Sequence, residues 1–302
     1  MLHEARIQSF LGILDNKEVT VVSRSQSNSA IQWTAEEIEK HLGISTAVYQ
    51  KMRLGARQIA EIRQAGIKRI EISSIPHSFD YRDYSQVTEV MEECVKQGVE
   101  IVGVHGWTKL SPQNEDAEEW RFMIDESLSA IRFAEEVGAS IYVAHFGCTE
   151  GSKRLVAELL DRTDGFRVSL TTENGRNLRP FMAAVDDIGS ERFGITVDIG
   201  HTRDSDGINP FVKKDRARQT LSQCGDRVFH VHLHEIFDQE QKPDHHPPLH
   251  NSGIVEWGEV FAALRDIGYR GELIFEDGRG ENPEEWVKMT GTFPRIFVQR
   301  YA

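Results

Sequence analysis

The sequence predicts an α/β protein built as a single closed (β/α)8 barrel, preceded by an N-terminal extension. Three observations lead there. From about residue 42, short β-branched or apolar runs ending in polar residues alternate with longer stretches of helical spacing. Eight such runs can be read, and strict βα alternation with eight strands implies one closed parallel sheet rather than an open doubly wound one. Several helical stretches end in Gly just before the next strand, where a left-handed residue closes a helix.

In chain order the strands are LGISTAV from Leu42, IKRIEIS from Ile67, VEIVGVHG from Val99, ASIYVAHFG from Ala139, FRVSLTTENG from Phe166, FGITVDIGH from Phe193, RVFHVHLHE from Arg227 and ELIFEDG from Glu272. Between them lie ARQIAEIRQAG, SQVTEVMEECVKQG, EEWRFMIDESLSAIRFAEEVG, SKRLVAELLDR, LRPFMAAVDDIG, KKDRARQTLSQCG and WGEVFAALRDIGYRG, all with helical spacing. NPEEWVKMTGTFPRIFVQRY follows the last strand. The fourth connection is short, which suggests a reduced peripheral helix. Residues 1–41 stand outside the repeat and read as an extension or arm, leaving residues 42–302 for the barrel. Thr34 with Glu37 three residues on has helix-start chemistry. TAEEIEKHLGISTAVYQKM also matches a helix-turn-helix, but GIST is needed as strand one and no basic recognition face follows.

Composition narrows the function. With 39% hydrophobic and 27% charged residues, the 302-residue chain can bury a core. No apolar run approaches the roughly 20 residues of a membrane helix, and MLHEARIQSF lacks a signal-peptide core, so a cytoplasmic protein without a membrane partner is expected. Cys94, Cys148 and Cys224 are scattered and odd in number and read as reduced thiols, Cys148 as a buried one beside strand four. A formal net charge of −13 repels polyanions and sets nucleic acid low among partners.

In such barrels the active site lies at the C-terminal ends of the strands. Those ends carry His105, His145, Glu173, Asp198, His201, His232 and Glu276. Singly, a strand histidine is more often a hydrogen-bonded core residue, and a strand carboxylate more often a salt-bridge partner. Contributions from strands three to eight to one mouth are not explained that way. Neutral imidazole with carboxylate suits zinc, manganese or iron, and burying so many acids without a cation is costly. On strand seven, alternation puts His230, His232 and His234 on one face and Val231 and Leu233 on the other. His232 has the best ligand position; His230 below and His234 above it are read as hydrogen-bonding groups. Asp244 and His246 lie in the next loop and either fold over the mouth as ligands or belong to PDHHPP as a stiff polar turn.

EIS at Glu71, VHGW at His105, AHFG at His145, TEN at Glu173, VDIGH at Asp198 and His201, HVHLHE at His232, DHH at Asp244 and His246, and FED at Glu276 together resemble the xylose isomerase-like TIM barrels, over about residues 42 to 280. That superfamily includes sugar isomerases and epimerases, inosose dehydratases and isomerases, and endonuclease IV. The resemblance implies a divalent metal, manganese, cobalt, magnesium or zinc. In epimerase-type members the metal is held by counterparts of Glu173, Asp198, His232 and Glu276. In endonuclease IV a trinuclear zinc cluster also uses counterparts of His105, His145, His201, Asp244 and His246. LHNSGIVEW keeps only Gly253 of the Gly-x-Gly-x-Ile turn that follows Asp-x-His in many relatives.

Two chemistries are implied. In one, a metal chelates the carbonyl and adjacent hydroxyl of a sugar or polyol, and Glu173 and Glu276, with His201 as a further catalytic candidate, move the proton through an enediolate; loss of a β-hydroxyl from it gives dehydration. In the other, two or three zinc ions drive phosphodiester hydrolysis. Charge favours the first. The loop GWTKLSPQNEDAEEW carries one lysine, Lys109, and four acids, a poor track for DNA phosphates. Trp107, Phe146 and Trp257 are candidate apolar walls, though helix packing would explain them equally, and Lys109 and Arg203 are candidates to hold a substrate hydroxyl or phosphate. A small sugar or polyol is the expected partner, and homo-oligomerisation through barrel rims rests on analogy alone. A non-catalytic sugar-binding barrel is the remaining reading; binding alone does not require two metal-held glutamates.

Overall fold

The computed structural model describes residues 33–110, 117–173, 177–237, 253–276 and 280–301, with side chains omitted for 107–110. Eight parallel strands close on themselves in sequence order, and β1 (Leu42–Ser45) pairs with β8 (Leu273–Phe275) through Leu42 and Leu273. The strands between them are β2 (Arg69–Ser73), β3 (Glu100–Leu110), β4 (Ile141–Phe146), β5 (Ser169–Glu173), β6 (Phe193–Asp198) and β7 (Val228–Leu233). Each coincides with a run read from the sequence. The (β/α)8 barrel is the fold of this chain.

The helices follow the strands. They are α1 (Ala35–His41) ahead of β1, then α2 (Ala56–Gln64), α3 (Tyr84–Gln97), α4 (Ala117–Glu136), α5 (Glu150–Arg162), α6 (Arg179–Ile188), α7 (Arg216–Cys224), α8 (Trp257–Asp266) and α9 (Pro283–Tyr301). Among the described residues none is long and apolar enough to cross a membrane. Their starts carry the capping chemistry the residues allow: Thr34 Oγ1 accepts the Glu37 backbone N–H at 3.1 Å, and Asp83 accepts those of Ser85 and Gln86. Gly98 and Gly189 close α3 and α6 at φ 65° and 63°, a conformation that costs other residues their Cβ clearance.

Two expectations are corrected. The fourth connection is not reduced: α5 is a full 13-residue helix capped by Thr149, whose hydroxyl accepts the Ser152 N–H. TAEEIEKHLGISTAVYQKM is not a helix-turn-helix, because α1 runs directly into β1 and a 3-10 turn (Thr46–Tyr49) follows the strand. Trp33, ahead of α1, packs edge-on against Phe261 of α8 at 5.2 Å, and Ile38 is fully buried.

Alternation sorts each strand between two environments. Ile70, Ile72, Val104, Val197, Val231 and Leu233 belong to the apolar layer under the helices. Their neighbours Glu71, His105, Thr196, Asp198, His230 and His232 are buried polar residues of the barrel interior. On β7 the register breaks: Val228 pairs with Ile195 and His230 with Thr196, so Phe229 is an extra residue, and its ring lies over Gly194. At the lower end Arg69 pairs with Glu272 at 3.2 Å and reaches toward Glu100 at 3.7 Å.

Candidate metal and acid–base centre

The barrel brings the polar residues of six strands to one mouth. Glu173 ends β5, Asp198 ends β6, His232 stands near the end of β7, and Glu276 directly follows β8. One group is His105, Glu173, His232 and Glu276, each offering a donor atom within 4.8 Å of the others. His105 Nε2 lies 3.2 Å from Glu173 Oε2, and its Nδ1 lies 3.1 Å from Glu276 Oε1. His232 Nδ1 stands 3.6 Å from Glu173 and 3.4 Å from Glu276. His145 is further out, half-exposed, with Nε2 3.8 Å from Glu173.

Asp198 belongs to a second set with His201 and His234. Its Oδ2 is 2.5 Å from His201 Nδ1 and 3.5 Å from His234 Nε2, while Oδ1 accepts the backbone N–H groups of Gly200 and His201. The four residues suggested as one metal shell, Glu173, Asp198, His232 and Glu276, are thus divided, with His105 in Asp198's place. The two sets touch where His234 Nε2 comes within 3.4 Å of Glu276 and His201 Nδ1 within 4.0 Å of Glu173. His234, read as a hydrogen-bonding group, offers its ring to both.

Charge in this space is strongly coupled. Burial opposes ionisation of Glu276, but His232 and His105 outweigh it and hold the carboxyl well below its ordinary range. Glu173 is lowered too: burial and Glu276 push it up, and His232 and His201 prevail. Burial disfavours the His105 imidazolium, yet Glu276, Glu173 and Glu71 lift it to about 9; Asp198 lifts His201 in the same way to about 11. His145 goes down, because burial dominates there.

These residues suit a divalent cation. Glu173 Oε2 and His232 Nδ1 are buried atoms that make no hydrogen bond, and both residues belong to the set that His105 and Glu276 complete. Carboxylate oxygen with imidazole nitrogen is a donor mix for manganese, zinc, cobalt or iron.

Of the proposed substrate-binding residues, two take other roles. Phe146 follows inward-facing His145, so its ring points outward; it is buried and packs edge-on against Tyr142 and Phe193. The Arg203 guanidinium donates to the Gly200 and Thr202 carbonyls, both at 2.7 Å, and so braces the β6 loop. Trp257 is core as well, packed on Phe261 and Phe293. Cys148 is exposed rather than buried. The side chains of Trp107 and Lys109, and all of Asp244, His245, His246 and His250, lie outside the described residues.

Two buried acids had no assigned part. Glu71 on β2 accepts the Nε2–H groups of both His230 and His232 on one oxygen, at 3.0 and 3.1 Å. Glu235, just past β7, accepts the Ile236 and Val255 N–H groups on Oε1 and the Trp257 indole on Oε2 at 2.7 Å, tying the returning chain to the barrel. Gly253 leaves room for it, since a Cβ there would sit 2.0 Å from Glu235 Cδ.

The chain is similar to known proteins over most of its length. The chain is 26% identical over 217 residues to the uncharacterized protein MJ1311 of Methanocaldococcus jannaschii, covering 65% of this chain and 71% of that one. Among solved structures, D-psicose 3-epimerase of Clostridium cellulolyticum with D-tagatose superposes with a TM-score of 0.66 at 14% identity, over 86% of this chain and 99% of that one. The IolI protein with a bound zinc atom does so with a TM-score of 0.66 at 18% identity, over 87% and 99%. Residues 59–291 match the family model of the xylose isomerase-like TIM barrel, and the chain belongs to that family.

Proposed function

We propose that this protein is a divalent-metal-dependent isomerase or epimerase of a sugar, polyol or related hydroxy-carbonyl compound. The observation that carries it is the pair Glu173 and Glu276, buried, ionised and facing a common donor set with His105 and His232 at the barrel mouth. The fold likeness to D-psicose 3-epimerase and IolI supports the same reading. The metal would be held from Glu173, Glu276, His232 and His105, with Asp198 and His201 beside them. A bound divalent ion supplies Lewis-acid polarisation of a carbonyl and its neighbouring hydroxyl.

The chain's own residues then move one proton. One of the two glutamates, as the carboxylate, takes it from the carbon beside the carbonyl; the other, first loaded with a proton from solvent, gives one back to carbon, and solvent resets the pair. Return to the opposite face of the same carbon gives the epimer; return to the adjacent carbon gives the isomer. His201, held against Asp198, would serve as a further proton donor, to a substrate oxygen.

Solvent deuterium exchange at the carbon beside the carbonyl tests this across ketoses and inososes, because it reads proton transfer whatever the product. Glu173→Gln and Glu276→Gln should each lower the exchange rate by about 10²–10⁴-fold. Exchange that survives both changes sinks the acid–base assignment. Loss of water in place of exchange would assign the dehydratase chemistry. The Asp198, His201 and His234 set favours one second reading, a multi-zinc phosphodiesterase. Chelator-sensitive cleavage of an abasic-site duplex would establish that reading instead.

A further inference from the structure

Glu71 is a buried acid of the barrel interior. It is fully buried, and the polar groups within reach of it are imidazoles: His230 and His232 at 3.0 and 3.1 Å on Oε2, and His105 Nδ1 at 3.7 Å from Oε1. A carboxylate so placed accepts only, so each bonded nitrogen carries the hydrogen. The His232 ring therefore spends its Nε2 on Glu71, and its other nitrogen, Nδ1, is the one turned toward Glu173 and Glu276. Nδ1 is buried and makes no hydrogen bond of its own. His230, one β-repeat below, is fully buried beside the same oxygen and keeps Glu71 from rotating away.

We propose that Glu71, braced by His230, is a positioning residue for the metal: it fixes the tautomer and ring plane of His232 so that Nδ1 is presented as a ligand. The inference rests on the metal reading above and extends it to a strand, β2, that gives no ligand itself. A metal-binding imidazole whose far N–H is held by a carboxylate is a better-oriented and more basic ligand, and losing that partner weakens metal binding by about 10–100-fold.

Glu71→Gln keeps an acceptor and removes the charge; Glu71→Met keeps the volume and removes the acceptor. Manganese and zinc are titrated into wild type and both variants against a competing chromophoric chelator, giving affinity and stoichiometry, and each chain's thermal midpoint is read in chelator. We expect one ion per chain in all three, an affinity order of wild type, then Gln, then Met, and about a 100-fold loss for Met. A purely structural glutamate would lower the midpoint and leave the affinity of the folded variants unchanged; that result overturns the proposal. Two ions in wild type and one in Glu71→Met would also overturn it, making Glu71, His230 and His232 a ligand set. If wild type binds neither metal, the metal reading itself fails and the proposal with it. Should Glu71→Met not fold, Glu71→Gln decides alone: an affinity equal to wild type refutes the positioning role.

Discussion

Glu173 and Glu276 are joined through one imidazole: His105 turns Nε2 to the first at 3.2 Å and Nδ1 to the second at 3.1 Å. Two buried carboxylates at such separations repel, and the imidazolium between them offsets that repulsion while no metal is bound. His105→Asn should therefore destabilise the metal-free protein by about 3–5 kcal/mol, the usual result of removing one partner of a buried ion pair. Excess metal should stabilise the variant less than wild type, because His105 is also one of the proposed ligands. Urea unfolding in chelator and in excess manganese checks both halves, and an unchanged midpoint in chelator speaks against the bridge.

The same bridge makes metal binding proton-linked. With His105 lifted to about 9 by Glu276, Glu173 and Glu71 against the effect of burial, an arriving cation must displace its proton below that pH. Affinity should rise with pH up to at least about 9, by up to about tenfold per unit for each displaced proton. Chelator competition at about pH 6.5 and about pH 8.5 measures the slope; a flat profile removes His105 from the shell.

Glu235 and Gly253 should behave as one unit. Glu235→Ala leaves three donors without their acceptor, a loss of about 3–5 kcal/mol given the strength of hydrogen bonds to a charged group. Gly253→Ala overlaps the Glu235 carboxyl and should cost about 1–3 kcal/mol in the wild-type background. The overlap disappears once Glu235 is alanine, so the double variant should be more stable than the sum of the two losses implies. Strict additivity in a denaturation cycle would contradict the contact.

At the other end of the barrel, burial raises Glu272 to about 7, with Arg69 opposing it only in part. The folded state thus holds this proton more tightly than the unfolded chain, whose carboxyl titrates near 4.5. The contribution is present below 4.5 and lost as pH rises through 7. Glu272→Gln should accordingly stabilise the protein more at about pH 8 than at about pH 5, by on the order of 1 kcal/mol. Equal urea midpoint shifts at the two values would show that Arg69 satisfies the charge.

The fold was legible because each strand is a short apolar run whose last residues turn polar, and a closed barrel places that polarity at one mouth. The ligand candidates were legible for the same reason: Glu173, Asp198 and His232 each stand at a strand end, in a local setting that distance along the chain does not disturb. Glu71 was not, since a lone acid in IKRIEIS carries no local sign of its partners, 159 and 161 residues away. Glu235 was not legible either, since its indole partner, Trp257, stands 22 residues further on. Phe146 was decipherable in principle, because alternation cannot send both it and His145 inward. The division of Asp198 from Glu173 and Glu276 depends on side-chain placements within a few ångströms, which strand spacing does not encode.

The extra residue of β7 acts as a phase corrector. Strict alternation from Val228, which lies beside Ile195, would send Val231 and Leu233 into the barrel and turn three imidazoles into the apolar layer. The half-step at Phe229 reverses that parity before His230, and every functional side chain above inherits the reversal. Deleting Phe229 would straighten the strand and leave the parity of His230, His232 and His234 as it is. A residue inserted above the bulge would invert it and dismantle the centre in one step. Chain length is therefore free to drift below Phe229 and fixed between it and Glu235, an asymmetry set by the ladder rather than by any ligand.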